Sequence, residues 1–330
     1  MLFSSPWSAP KWMKTNNDLI GKGELRGDPN GKYYKTWAKY FVKFFQQYSL
    51  HDIKFWGTTI QNEPIDGTFE GFPFNCMSMP AEKQRDFVKF DLWPALNESG
   101  FKNIKIMVGD DNRPFIKRFT DAVLEDKEAA KLVAGVAFHW YFNDFSSPDI
   151  LKNAIEHYKD HFFLSTEACE ANSPFDPNTG KVVLGSWKRA EHYARDIIEN
   201  LARDAAGWID WNYAVNLQGG PSWVNNFVDS PVVVNATAKE YYKQPMYYAL
   251  AHFSRYIPPG SLRLETKITK TEHKKGVDGV FFSTENGKKT VGVLQNRLES
   301  SAPIRIEDAS KPGSTLDIEM LPNSIMTVLW

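Results

Sequence analysis

The chain has 330 residues, 42% hydrophobic and 24% charged, with 39 Lys and Arg against 40 Asp and Glu. That composition suits a soluble globular protein of one large domain or two. The even charge balance offers no field that would make nucleic acid or an acidic membrane the primary partner. Two cysteines, Cys76 and Cys169, are too few for a disulfide framework. No Cys/His cluster has metal-ligand spacing, so neither a metal nor another cofactor is expected. No apolar run approaches the roughly 20 residues of a transmembrane segment. Met1-Leu2-Phe3-Ser4-Ser5-Pro6-Trp7 lacks the basic start and long apolar core of a signal peptide, so the chain as read carries no export address. The sequons Asn97-Glu98-Ser99 and Asn235-Ala236-Thr237 would nevertheless suit a secreted history.

In chain order, Leu2 to Ser5 reads as a short strand. Tyr33 to Tyr48 places Tyr33, Trp37, Tyr40, Phe41, Phe44, Phe45 and Tyr48 at three- and four-residue steps between lysines, the pattern of an amphipathic helix. A strand over 55–60 follows, then a loop from Gly67 to Pro80 and a helix near Ala81 to Leu96. The alternation continues with a strand at 104–108, a helix at 115–124, a strand at 136–138, a helix at 148–158 and a strand at 162–165. A helix at 187–203, a strand at 207–211 and a helix at 245–256 complete it. Alternating strands and helices argue for a parallel sheet or a barrel. Beyond Pro258-Pro259-Gly260 only short strands separated by turn residues remain, near 262–264, 279–282, 290–294, 304–306, 315–318 and 325–329, the texture of a β-sandwich. The expected domains are therefore a barrel-type unit over 1–257 and a sandwich over 258–330. Of the 11 tryptophans, Trp12, Trp37 and Trp187 are read as core.

Two glutamates stand out. Glu63 in Gln61-Asn62-Glu63-Pro64 and Glu167 in Ser165-Thr166-Glu167-Ala168-Cys169 each end an apolar strand. Barrel enzymes place their chemistry at such strand ends. Two carboxylates there match the needs of glycoside hydrolysis, one to protonate the leaving oxygen and one to attack or to activate water. Either Glu alone is more often a solvated loop residue. In a closed barrel, strands three units apart face each other obliquely across the mouth, so these two can meet. A closed barrel needs eight strands, and only six are legible here.

Six motifs then carry a resemblance: Ser4-Ser5-Pro6-Trp7, Gln61-Asn62-Glu63-Pro64, His139-Trp140-Tyr141, Ser165-Thr166-Glu167-Ala168-Cys169, Gly207-Trp208-Ile209-Asp210-Trp211-Asn212, and the run from Gly219 to Pro231. In that order and spacing they resemble the glucosylceramidases of glycoside hydrolase family 30, across essentially the whole chain. The resemblance implies an α/β fold: a (β/α)8 TIM barrel lacking its first two strands, plus a C-terminal all-β sandwich that is itself incomplete. It implies a retaining β-glucosidase that hydrolyses glucosylceramide to glucose and ceramide through a covalent glucosyl-enzyme. Glu63 is then the general acid and base, its proton favoured by Phe72, Phe74 and the charge of Glu167, and Glu167 is the nucleophile. Trp7, Asn62, Tyr141, Trp211 and Asn226 match positions lining the sugar pocket, His139 would bond a catalytic carboxylate, and Phe74 would border the mouth. Asp110, Asp111 and Arg113 rank below these, as residues that position Glu63 or shape the entrance. An activator protein or an anionic lipid surface joins the glycolipid as an implied partner, and the lysosome is the implied location. Three readings stay open: a glucosylceramidase whose written sequence is incomplete, another family 30 β-glycosidase, and a truncated non-catalytic paralogue.

Overall fold

The computed structural model describes residues 1–173, 176–267 and 276–330. Its chain divides into two units. The first comprises Met1–Ala168 and Ala205–Ile209, the second Cys169–Asp204 and Asp210–Trp330.

The first unit is built on a parallel sheet of strands β1 (Phe3–Ser4), β2 (Gly57–Thr59), β3 (Lys105–Asn112), β4 (Gly135–His139) and β5 (Phe162–Glu167), paired in that order. Where a sixth strand is expected over 207–211, there is a single parallel bridge between Ser165 and Trp208. Parallel neighbours need crossovers, and these are helical: α1 (Lys32–Ser49), α2 (Ala81–Phe87), α3 (Trp93–Glu98), α4 (Ile116–Leu124), α5 (Lys127–Ala130) and α6 (Asp149–His157). The helix expected over 81–96 is interrupted by a π-turn at Val88–Leu92. Pro94, just beyond, has no N–H to continue an α-helical ladder, which accounts for a change of hydrogen-bond register there.

The helices bury their apolar stripes against one face of the sheet. Tyr34, Trp37, Phe41 and Phe45 of α1, Phe87 of α2 and Val123 of α4 share one core with Ile106, Val108, Val136, Phe138 and Phe163 of the strands. Met107, Ala137 and Leu164, whose side chains alternate to the opposite face, form a smaller cluster with Phe3, Trp56, Phe162 and Ile209. Trp37 is core as expected, whereas Trp12 is 57% and Trp187 38% exposed. Trp12 lies in a one-turn helix and Trp187 is the first residue of a longer one, positions where no preceding turn covers the ring.

The second unit holds helices α7 (Trp187–Leu201) and α8 (Pro245–Ser254) and three antiparallel or mixed sheets. Strands β6 (Val215–Asn216), β7 (Val232–Asn235) and β8 (Glu240–Lys243) make a small sheet that the sequence pattern did not disclose. The hairpin turns through Lys239, which adopts φ 57, and its strands are largely exposed, so no buried/exposed alternation marks them. The C-terminal strands β9 (Leu262–Leu264), β10 (Val277–Thr284), β11 (Lys289–Asn296), β12 (Ala302–Glu307), β13 (Thr315–Met320) and β14 (Ser324–Leu329) fall where expected. They form a four-stranded antiparallel sheet in the order β14-β11-β10-β9 and a separate β12-β13 hairpin. Among the described residues, no helix is long and apolar enough to cross a membrane.

Candidate active site

The carboxyl ends of β2, β3, β4 and β5 converge on one polar cluster. Its geometry depends on two irregularities in the ladder. Between β3 and β4 the register shifts between Gly109 and Asp111, and between β4 and β5 it shifts at Phe138 and His139. Such bulges re-aim side chains. Asp110 is the extra residue of the first, in the left-handed region at φ 60, beside Gly109 at φ 85. Its carboxylate turns into the cluster, where it accepts hydrogen bonds from the hydroxyls of Ser5, Thr59 (2.6 Å) and Thr166 (2.8 Å) and faces His139 Nε2 at 3.1 Å.

His139 is fully buried and joins the strand ends. Its Nδ1 lies 3.2 Å from Glu63 Oε1, and its Nε2 lies 3.9 Å from Glu167 Oε2. Glu63, at φ 39, is held by its N–H, which donates to the Asp110 carbonyl at 2.8 Å. Glu167 accepts from the Tyr141 hydroxyl at 2.7 Å. With its amide nitrogen turned toward Glu167, Asn62 donates to Oε2 at 3.2 Å while its oxygen accepts from Trp7 Nε1 at 3.2 Å. Trp7, Asn62, Glu63, His139, Tyr141 and Glu167, all singled out from sequence, are thus brought together. An oxygen of Glu63 and an oxygen of Glu167 lie within 4.8 Å of each other.

Phe74 is half-buried and packs edge-on against Phe72 with centroids 4.6 Å apart. Trp211 and Asn226 belong to the second unit and are half-buried there, the Asn226 N–H donating to Ser222 Oγ at 3.0 Å. Arg113 is buried and donates to the carbonyls of Asn143 and Ser146, pinning the loop that follows β4 and carries Tyr141. Cys76 and Cys169 are buried, and burial pushes the Cys76 thiol up to about 11, which disfavours its thiolate.

Five carboxyl groups surround one imidazole, and their proton affinities separate accordingly. Burial pushes Glu63 up, but the hydrogen bond and charge of His139, with a hydrogen bond from Asp66, reverse this and hold it below the ordinary range. Burial raises Glu167 to about 7, with Glu63 adding to the rise while His139 and Tyr141 oppose it. Burial works against the charged form of His139, yet Glu167 and the bonds to Asp110 and Glu63 lift it well above its usual value. Asp110 is lowered despite burial, by His139, Ser5 and Thr59. Burial and then Glu63 raise Asp66 to about 9 and Asp111 to about 7. The expected hold of apolar neighbours on a Glu63 proton is therefore opposed by His139, within a close pair made of Glu63 and Glu167. Between the two midpoints the pair carries one proton, which is the property that matters for acid and base chemistry.

Glu63, His139 and Glu167 are also close enough together to have met around a cation. Both ring nitrogens of His139 face carboxylates, however, and a protonated imidazole has no lone pair to offer a metal. The chemistry of the set is that of an acid–base cluster.

Residues 1–257 match the model of the glycosyl hydrolase family 30 TIM-barrel domain. The chain belongs to glycosyl hydrolase family 30. Among relatives in this family it is 40% identical to the lysosomal acid glucosylceramidase of Mus musculus, over all of this chain and 62% of that protein. The chain thus spans about three fifths of the length of that relative. Among solved structures it is similar to SrfJ from Salmonella typhimurium, with a TM-score of 0.86 and 26% identity over 99% of this chain and 68% of that one. It is likewise similar to the endo-β1,6-glucanase BT3312, with a TM-score of 0.83 and 26% identity over 99% of this chain and 70% of that one.

Within this family 30 chain, sequence reasoning ranked Asp110 below residues that the structure shows it bonding, such as His139. The signal for Asp110 was present: Gly109-Asp110-Asp111 ending a strand is a pattern that accommodates a bulge with positive φ.

Proposed function

We propose that this chain carries the catalytic centre of a retaining β-glucosidase that cleaves glucosylceramide into glucose and ceramide. The observation that carries the reading is the approach of Glu63 and Glu167 to within 4.8 Å, oxygen to oxygen. Retaining glycosidases hold their carboxyl groups about 5 to 5.5 Å apart, whereas inverting ones need roughly 6.5 to 9.5 Å to admit a water. In the first step Glu167 attacks the anomeric carbon, the bond to the aglycone oxygen breaks, and Glu63 gives that oxygen its proton. In the second, water attacks the same carbon, its proton passes to Glu63, and the glucosyl ester to Glu167 breaks. Positive charge developing on the sugar ring favours ionised Glu167, which moves the pair's one proton onto Glu63 as the bond weakens. Asn62 and Tyr141 orient the nucleophile, and Asn62 is placed to meet the sugar's 2-hydroxyl. Trp7, Trp211 and Asn226 are read as pocket-lining residues and Phe74 as bordering its mouth. We read 1–257 as the barrel domain, a span supported by the family match, and 258–330 as an appended β domain.

The lipid aglycone and a lysosomal location rest on similarity to the mouse protein and are proposed on that basis; an activator protein or anionic lipid surface as partner is proposed from the motif resemblance alone. A second reading, a β-1,6-glucanase, is favoured by the similarity to BT3312. The two are separated by comparing glucosylceramide in mixed micelles, an aryl β-glucoside and β-1,6-glucan as substrates of the full-length gene product. Release of ceramide with no cleavage of the glucan is the expected result. Cleavage of the glucan alone would replace the lipid substrate with a polysaccharide.

A further inference from the structure

Each of the five parallel strands brings one side chain to a polar floor beside the catalytic pair. Ser5 follows β1, Thr59 ends β2, Asp110 is the bulged residue of β3, His139 ends β4 and Thr166 precedes the last residue of β5. Asp110, almost fully buried, is where they meet. Its Oδ2 accepts from Ser5 and Thr59, whose hydroxyl oxygens lie 2.6 Å from each other. Its Oδ1 accepts from Thr166 at 2.8 Å and faces His139 Nε2 at 3.1 Å. The backbone is bent to put it there. Asp110 holds φ 60, in the left-handed region, and Gly109 at φ 85 has no room for a side chain, since a Cβ would stand 2.8 Å from the Ala137 carbonyl oxygen. The same bend offers the Asp110 carbonyl to the Glu63 N–H at 2.8 Å. One residue thus holds Glu63 through its main chain and His139 through its side chain.

The position of the His139 ring asks for two protons. Nδ1 lies 3.2 Å from Glu63 Oε1, while Nε2 lies 3.1 Å from Asp110 Oδ1 and 3.9 Å from Glu167 Oε2. A neutral imidazole has one N–H and can donate on one side only, whereas an imidazolium donates on both. Resting on the reading of Glu63 and Glu167 as the catalytic pair, we propose that Asp110 is a positioning residue that holds His139 as an imidazolium, with Nε2–H on its own carboxylate and Nδ1–H on Glu63. A fixed cation then stands against both catalytic carboxyl groups. Three hydroxyls on its two oxygens keep Asp110 an acceptor, and the ring cannot turn without losing both bonds. The ionisable groups that face the ring are Glu63 after β2, Asp110 of β3, Glu167 of β5, and Tyr141 after β4, whose ring stands edge-on with centroids 6.1 Å apart. The raised proton affinity of His139 and the lowered one of Asp110 agree with this geometry. The cation favours one ionised carboxylate in the pair at each stage, whether the charge rests on Glu63 or on Glu167.

The test uses Asp110→Asn, which keeps the shape, tolerates the left-handed backbone and retains the carbonyl that Glu63 uses. Nitrogen-15 NMR of histidine-labelled full-length gene product distinguishes a protonated ring nitrogen from one bearing a lone pair, with His139→Gln assigning the signals. In the wild type both nitrogens of His139 are expected to be protonated across the pH range of activity. In Asp110→Asn the midpoint of the ring should fall by on the order of one pH unit or more. On an aryl β-glucoside, kcat/KM should fall about 10- to 10²-fold in Asp110→Asn. Adding Asp110→Asn to His139→Gln should cost little more than His139→Gln alone, because the first residue acts through the second. A purely structural role would lower the unfolding temperature and leave the nitrogen signals in place. A ring nitrogen with a lone pair in the wild type at its rate optimum, an unmoved midpoint in Asp110→Asn, or fully additive losses would each overturn the inference. A shifted midpoint in a protein that hydrolyses no glycoside would support the role of Asp110 and sink the functional reading instead.

Discussion

Replacement of Glu167 by alanine is expected to lower kcat on an aryl β-glucoside by about 10⁴-fold or more, with the fold intact. The magnitude follows from the role: a nucleophile that forms the covalent intermediate has no substitute among its neighbours. Asn62 and Tyr141 hydrogen-bond Glu167, and neither carries a carboxylate that could take its place. Removing the side chain opens space on the face from which the carboxylate attacked. Azide should enter there and restore turnover, giving the α-glucosyl azide because only one displacement then occurs. Loss of activity without azide rescue, or rescue that yields the β-product, would remove Glu167 from the nucleophile's place.

Replacement of Glu63 by glutamine is expected to divide substrates by their leaving groups. A lipid or alkyl glucoside, whose departing oxygen needs a proton, should slow by about 10² to 10⁴-fold. A dinitrophenyl glucoside needs no proton to depart, so its first step should be nearly normal and the glucosyl-enzyme should accumulate for want of a base. The pH dependence changes with it. In the wild-type protein, activity requires one proton on the coupled pair, so kcat/KM should fall as pH rises through about 7, where Glu167 loses the proton it holds at rest. It should fall again on the acid side, below the lowered midpoint of Glu63. The optimum is therefore mildly acidic, and the alkaline limb should vanish for the activated substrate in Glu63→Gln. An optimum well above neutrality would contradict the assignment of both carboxylates.

The elements that build this site were legible because each depends on local pattern. The α1 stripe of Tyr34, Trp37, Phe41 and Phe45 and the apolar strand leading to Glu63 can be read from spacing alone. The motif residues Trp7, Asn62, His139 and Tyr141 were found for a different reason, a resemblance of ordered motifs rather than a physical pattern. What stayed hidden is non-local. The π-turn at 88–92 and the β7–β8 hairpin are decided by ladder geometry and exposure, which periodicity does not encode. The pull of His139 on Glu63 stayed hidden because His139 lies on another strand and reaches Glu63 through the register shift at the end of β4. Asp110 acquires its role in the same way, through a bulge that only the paired strands produce.

The account rests on Glu167 becoming covalently bonded to the sugar, and the most direct measurement is to trap that species. Incubation with 2-deoxy-2-fluoro-β-glucosyl fluoride, whose fluorine slows hydrolysis of the ester more than its formation, should add one fluoroglucosyl group per chain. Mass spectrometry of a digest should place it on the peptide containing Ser165-Thr166-Glu167-Ala168-Cys169. A label on the Glu63 peptide would exchange the two roles, and the absence of any adduct in protein that still hydrolyses a β-glucoside would contradict a covalent mechanism at this site.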